Sequence, residues 1–303
     1  MCELDCYSNI PLFLIEKIKK QYPNHYDKIL KGYDAKRFTT LRVNTLKSSI
    51  EEIEKCFSSL GIVYEKIDYY QDAFIIKNAD YKYISNLDIY ESGKIYLQSL
   101  SSMLPPLILS PMEKKDILDM AASPGSKTSQ MASLVNNNAF IMACEVNKIR
   151  MERLKYNMNK LGVSCVNYML TDSRKLDDYF SFDQILLDAP CSGSGTLSTK
   201  KPNKISLELV NNSARLQKEL LKKAIKIVKV GGTILYSTCS ILEEENEKVI
   251  NAMLKDENVV LEKIDVTKFK NIELLPTKID GTMAVMPNEI YEGFFVALLR
   301  KVK

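Results

Sequence analysis

The chain has 303 residues, 46% hydrophobic and 26% charged, with a net charge of +4, seven cysteines and one histidine. That length buries a substantial core in one large domain or two smaller ones, and no apolar stretch approaches the ~20 residues that span a bilayer. A lone histidine and an odd number of cysteines without a C-x-x-C pair leave the familiar zinc patterns and the Ser-His-Asp and Cys-His hydrolases without their parts, so no metal is expected.

The N-terminal "MCELDCYSNIPLF" carries acids where a signal peptide needs bases, which points to a cytoplasmic protein. Residues 1–90 balance thirteen basic against thirteen acidic side chains, so the positive excess lies in 91–303. By itself that excess is a weak argument for a nucleic-acid partner. "IPLFLIEKIKKQY" and "SSIEEIEKCFSSLG" have apolar spacing near 3.6, whereas "TTLRVNTL", "GIVYEKI" and "AFIIKN" read as extended. Residues 1–90 are therefore expected to form a small α+β domain. His25, in "YPNHYDK", reads as a helix start without a catalytic role. In "ESGKIYLQSLSSMLPPLILSP" the Pro105-Pro106 pair is expected to interrupt or end a helix.

From residue 116 strands alternate with helices: "DILDM", "SKTSQMASLV", "AFIMACE", "NKIRMERLKYNMNKLG", "CVNYML", "DQILLDAP", "NNSARLQKELLKKAIKIVKVGG", "TILYSTCS", "EEENEKVINAMLK" and "EGFFVALLRK". That rhythm predicts an α/β domain over 91–303, with a mostly parallel sheet covered on both faces. Ligands of such sheets sit beyond the carboxyl ends of the strands.

The short motifs fall at those ends. In "LDMAASPGSKT" the small residues Ala121, Ala122, Ser123 and Gly125 let backbone approach a ligand ahead of a helix N-terminus. The loop has neither the G-x-G-x-x-G nor the Walker pattern. Glu145 ends the next strand, where an acid suits ribose hydroxyls, and Asp172 ends the third, where a carboxylate suits an adenine amino group. The lesser alternative for each acid is a helix N-cap. "LLDAPCSGSG" and "YSTCS" then place Cys191 and Cys239 after two more apolar runs.

Together these segments, with "RVNTL" and "YLQSLSSMLP", resemble the Nop/Sun family of RNA cytosine-C5 methyltransferases, over nearly the whole chain. The "IYEGFFVALLRK" ending is most similar to bacterial members acting on small-subunit ribosomal RNA. The resemblance implies a Rossmann-like class I methyltransferase domain with a seven-stranded sheet, using S-adenosylmethionine. It implies cofactor contacts from Ala121, Ala122, Ser123, Pro124, Gly125, Ser126, Lys127, Glu145, Arg150, Asp172 and Asp188. It assigns attack on cytosine C6 to Cys239 and release of the adduct to Cys191. Asp188 would bind the N3/N4 edge, and Lys127 would stabilise the adduct. The chemistry has its own logic: C5 of cytosine is a poor nucleophile until a thiolate adds to C6. A thiol near a lysine and a helix N-terminus is expected to have a depressed pKa. The opposite assignment, attack by Cys191 as in DNA cytosine methyltransferases, stays open, as does an inactive RNA-binding factor on the same fold.

Lys200, Lys201 and Lys204 in "LSTKKPNK" suit phosphate contacts. Arg42 and Asn44 match the family's N-terminal motif and are expected to serve RNA binding or to organise the wall of the site. A flipped or single-stranded cytosine is required. The expected partner is ribosomal or transfer RNA, met by a monomer with no separate RNA-binding module; recognition would rest on residues 1–95, the basic loop or the RNA's own fold.

Overall fold

A computed structural model describes residues 9–200, 204–255 and 258–303. Helices α1 (Leu12–Gln21) and α2 (Tyr26–Asp34) lead into β1 (Thr39–Val43), α3 (Ile50–Ser59), β2 (Tyr64–Ile67), β3 (Tyr70–Ile76), α4 (Tyr81–Ser85), α5 (Asp88–Glu91) and β4 (Ile95–Leu97). Then come α6 (Leu100–Leu109), β5 (Asp116–Asp119), α7 (Ser126–Leu134), β6 (Phe140–Glu145), α8 (Lys148–Lys160), β7 (Val166–Leu170) and β8 (Phe182–Asp188). The chain closes with α9 (Leu207–Ile227), β9 (Val228–Thr238), α10 (Glu247–Met253), β10 (Val259–Glu262), β11 (Leu274–Leu275), β12 (Met283–Val285) and β13 (Phe294–Lys301).

The first four strands form an antiparallel sheet in the order β2-β3-β1-β4. Its inner face carries Leu41, Val43, Phe74 and Ile76, and α3 seals it with Ile53 and Phe57, all essentially without solvent contact. Helices α1 and α2, expected inside this small unit, instead bury Leu14, Ile18, Ile29 and Leu30 in the core of the large sheet.

The large sheet runs β7-β6-β5-β8-β9 in parallel, then turns antiparallel at β13. It has nine strands where seven were expected. The difference lies beyond β13: β12 pairs with Phe294–Val296 and β10 with Leu298–Lys301, so two short pieces share one flank, and β11 adds an edge. The parallel strands are apolar on both faces because both are covered. On β8, Ile185 and Leu187 enter one core and Leu186 the other; on β9, Ile234 and Tyr236 oppose Leu235.

Helix α6 continues through Pro105 and Pro106 to Leu109, against expectation. Each proline deprives a carbonyl one turn earlier of its donor. The Ser102 carbonyl, freed by Pro106, accepts from Gln98 Nε2 at 3.1 Å. Helix α10 starts later than its sequence pattern, at Glu247, because Asn246 is turned inward to Thr238 Oγ1 (2.6 Å) and the Ser240 carbonyl (2.9 Å). Among the described residues no helix is long and apolar enough to cross a membrane.

Gly32 packs α2 against the chain before β13: a Cβ there would lie 1.9 Å from the Pro287 carbonyl oxygen. Alanine ordinarily stabilises a helix interior by about 1 kcal/mol relative to glycine. Here Gly32→Ala is expected to destabilise by about 1–3 kcal/mol through overpacking, read as a lower urea midpoint; a raised midpoint would refute the contact.

Candidate active site

Strands β8 and β9 are parallel neighbours in register, Asp188 opposite Ser237, and the Ala189 amide donates to the Ser237 carbonyl at 2.8 Å. Their ends therefore lie side by side. Cys191 follows one and Cys239 the other, and the two sulfurs approach to 2.9 Å as free thiols.

A buried carboxylate fixes this meeting. Glu245 Oε1 accepts from the Ser192 amide (2.7 Å) and Gln217 Nε2 (3.3 Å), and Oε2 from Ser192 Oγ (2.5 Å) and Ser240 Oγ (2.6 Å). Both cysteine loops thus hang on one side chain with no solvent exposure. Ser194 Oγ adds a contact to Ser240 Oγ at 2.8 Å, and Tyr33 Oη donates to the Ser194 carbonyl at 2.6 Å. Gly195 admits the closing segment: a Cβ there would sit 2.0 Å from the Gly293 carbonyl oxygen.

The thiols are not equivalent. Cys191 is held well above the usual thiol range, first by its hydrogen bond to Cys239 and then by burial and the charges of Cys239 and Glu245. The depressed pKa expected of a thiol here does not occur at Cys191, because the neighbouring sulfur, burial and the Glu245 charge all raise it. Lys127 Nζ pairs with Asp188 Oδ2 at 2.6 Å, donates to Ser102 Oγ at 2.8 Å and lies 5.7 Å from the Phe294 ring centre. Ser237 Oγ donates to the other Asp188 oxygen at 2.7 Å.

Cys239, Lys127 and Asp188 line a cavity of about 380 Å3 together with Asp119, Ser102, Phe294 and the turn Ala121, Ala122, Ser123, Pro124 and Ser126. That volume falls in the range of small-molecule sites, roughly 300–1,000 Å3. Asp119 is buried at the end of β5, accepting from Thr128 Oγ1 (2.7 Å) and the Ala121 amide (3.3 Å). Burial pushes its carboxyl up to about 6.

The other sequence-predicted cofactor residues border the cavity's strand tips rather than its lining. Glu145 is buried and accepts from the Asn147 amide at 2.9 Å; Arg150 reaches its other oxygen at 3.3 Å and the Ser123 carbonyl at 3.0 Å. Asp172 caps the Arg174 amide and is gripped by the Arg174 guanidinium at 2.6 Å, which holds its carboxyl below the usual range. Gly125 takes a left-handed φ of 103° at the start of α7. Small turn residues beside buried and strand-tip carboxylates fit a ligand that combines a cationic centre with ribose hydroxyls.

Arg42 and Asn44 are buried, not exposed on the surface. Arg42 is fully buried, donating to Gln98 Oε1 (3.0 Å) and Ser129 Oγ (2.5 Å), and Asn44 donates to the carbonyls of Gly93 (2.7 Å) and Leu161 (2.8 Å). They join the small sheet to α7 and α8, so their RNA contact is corrected to a bracing role. Lys200 and Lys204 are exposed after the Cys191 loop, while Lys201 lies outside the described residues. Sequence reasoning missed Asp119, Ser102, Ser237 and Phe294. Asp119 had a usable signal, being an acid at the end of an apolar run like Asp188.

The strand order and a ligand cavity at the parallel carboxyl ends define a class I methyltransferase fold. Residues 106–300 match the family model described as 16S rRNA methyltransferase RsmB/F, and residues 10–81 match its Methyltr_RsmF/B-like ferredoxin-like domain. The chain belongs to the RsmB/F methyltransferase family. It is 36% identical over 275 residues to the ribosomal RNA small subunit methyltransferase F of Aeromonas salmonicida, covering 86% of this chain and 57% of that protein. It is 33% identical over 316 residues to the 28S rRNA (cytosine-C(5))-methyltransferase of Mus musculus, covering 99% of this chain and 40% of that one. The chain therefore spans roughly two fifths to three fifths of these relatives' length. Among solved structures, NSun6 from Pyrococcus horikoshii, with SFG, superposes with a TM-score of 0.87 at 26% identity, covering 97% of this chain and 99% of that one.

Two outcomes test the site's construction. Glu245→Ala leaves the Ser192 amide without its acceptor and Gln217 Nε2 with only the Pro190 carbonyl, and is expected to cost about 3 kcal/mol in urea unfolding; a loss below about 0.5 kcal/mol would show that the loops hold themselves. Asp119 titrates higher folded than unfolded, so its stabilising contribution is full below about pH 4 and lost as pH rises through 6. The stability of wild type relative to Asp119→Asn should accordingly fall by about 2 kcal/mol between pH 4 and pH 7; a flat difference contradicts the buried anion.

Proposed function

We propose that this protein methylates carbon 5 of a cytosine in RNA, ribosomal RNA in preference to transfer RNA, with S-adenosylmethionine as methyl donor. The observation that carries this reading is the pair of sulfurs 2.9 Å apart at adjacent strand tips, with Cys239 opening into the cavity that Lys127 and Asp188 share. The names of the Aeromonas and mouse relatives support ribosomal RNA as the substrate class. Asp119, Glu145, Arg150 and the 121–126 turn are the residues that would hold the donor, which supplies an electrophilic methyl carbon when bound.

The remaining steps belong to the chain's own side chains. The Cys239 sulfur adds to cytosine C6 and makes C5 electron-rich. Asp188, oriented by Ser237 and Lys127, meets the N3/N4 edge of the flipped base. Before attack, the two sulfurs share a hydrogen bond at 2.9 Å. Cys191 stands beside the newly bonded sulfur at the stage where the C5 proton must be removed and the C6–sulfur bond must break. The four-stranded sheet and the exposed Lys200 and Lys204 face the RNA in this reading, with Lys201 beside them in sequence.

The test supplies tritiated methyl donor and transcribed small-subunit ribosomal RNA. Label is expected in 5-methylcytosine, and Cys239→Ala should lower the rate at least about a thousandfold. Cys191→Ala should accumulate a protein–RNA adduct that survives denaturing gels. An adduct trapped by Cys239→Ala instead would exchange the two roles, and folded protein that labels no RNA cytosine would end the proposal.

A further inference from the structure

A second cavity, of about 690 Å3, lies away from the strand tips, around the link between α2 and β1 and the end of β3. Lys36, Arg37, Phe38, Lys77 and Tyr83 border it. Arg37 keeps Nε and Nη2 buried without a hydrogen-bond partner. An unsatisfied buried donor costs about 1–3 kcal/mol, more when charged. The nearby acids do not answer it: Asp80 accepts from the Tyr83 amide as the cap of α4, and Glu65 pairs with Lys77 at 2.7 Å. Lys36 is exposed, and among the described residues it has no ion-pair partner.

The same walls offer flat surfaces. Tyr83 is 47% exposed, and the Lys77 ammonium lies 4.5 Å from the Phe38 ring centre. A cationic fork beside aromatic rings binds backbone phosphate and stacks an unpaired base. The cavity is also tied to the catalytic end. Asp34, two residues before Lys36, accepts from Thr199 Oγ1 at 2.5 Å, and the Thr199 amide donates to the Tyr33 carbonyl at 3.3 Å. Thr199 directly precedes the exposed Lys200. The segment that leads into 36–37 is thus bonded to the loop that follows Cys191.

We infer that this cavity is a docking subsite for the substrate RNA, in which Arg37 and Lys36 take backbone phosphate and Tyr83 stacks a base flanking the methylated cytosine. The inference rests on the proposed RNA methylation and extends it to residues outside the catalytic cavity.

Fluorescence anisotropy with a labelled small-subunit ribosomal RNA transcript, over a salt series, tests it. The Lys36→Gln/Arg37→Gln pair should bind about tenfold more weakly, and the log K versus log salt slope should shrink by about 1.4 for two single-strand phosphate contacts. KM for RNA should rise while the single-turnover rate at saturating RNA stays unchanged. Tyr83→Ala should weaken binding several-fold without changing the slope. Lys36→Gln alone, on an exposed side chain, keeps half of the slope change should Arg37→Gln fail to fold. Wild-type affinity and slope in the Lys36 and Arg37 variants of a protein that still methylates RNA would overturn the subsite alone. Absence of methylation by the wild-type protein would overturn the underlying reading instead.

Discussion

The parallel pairing of β8 with β9 is the constraint on which the site depends. Because Asp188 lies opposite Ser237, the residues that follow each strand leave the sheet at the same level. The sulfur contact, the orientation of Asp188 by Ser237 and the opening of Cys239 into the cavity all follow from that register. A shift by one residue would turn every side chain of β9 to the opposite face. Leu235 would then exchange cores with Ile234 and Tyr236, so packing on both faces protects the register that chemistry requires.

Glu245 carries that precision from the strands into the loops. Fully buried carboxylates are costly unless every oxygen is satisfied. Here four donors from three residues converge on one side chain, two of them from Ser192. Exposed pairs such as Lys263–Asp280 contribute little, since solvent screens them. The buried network instead selects one arrangement of the two loops, because any other leaves charge or donors unpaired inside the protein.

The sequence displays the parallel strands because burial on both faces makes them continuous apolar runs, and Asp188, Cys191 and Cys239 stand out at their ends. It hides β10, β11 and β12, which have only two to four residues each and no room for an alternating pattern. Helix α6 is hidden for another reason: the donor that compensates for Pro106 comes from Gln98, outside the helix. Arg42 and Asn44 show the limit of motif reading. An arginine that braces α7 and one that grips phosphate have the same letter and neighbours, and only tertiary burial separates them. Ser102 and Ser237 were hidden likewise, since a hydroxyl becomes informative only when its partner is known.

Asp119 brings stability and function together. Its carboxyl is buried, with a pKa near 6, so at neutral pH the fold holds an anion that it would hold more readily protonated. Lys127 favours that anion only slightly, its ammonium being paired with Asp188 at 2.6 Å. The cavity's lining sets three acidic residues, Asp119, Asp188 and Glu292, against the single Lys127, so negative charge is in excess. Such a site destabilises the empty protein and favours a cationic ligand, the charge type of a sulfonium. Strongly perturbed acids in clefts commonly mark function for this reason. The burial of Asp119 and the pairing of Lys127 therefore act in the same direction: one creates a local excess of negative charge, and the other keeps it from being cancelled within the chain.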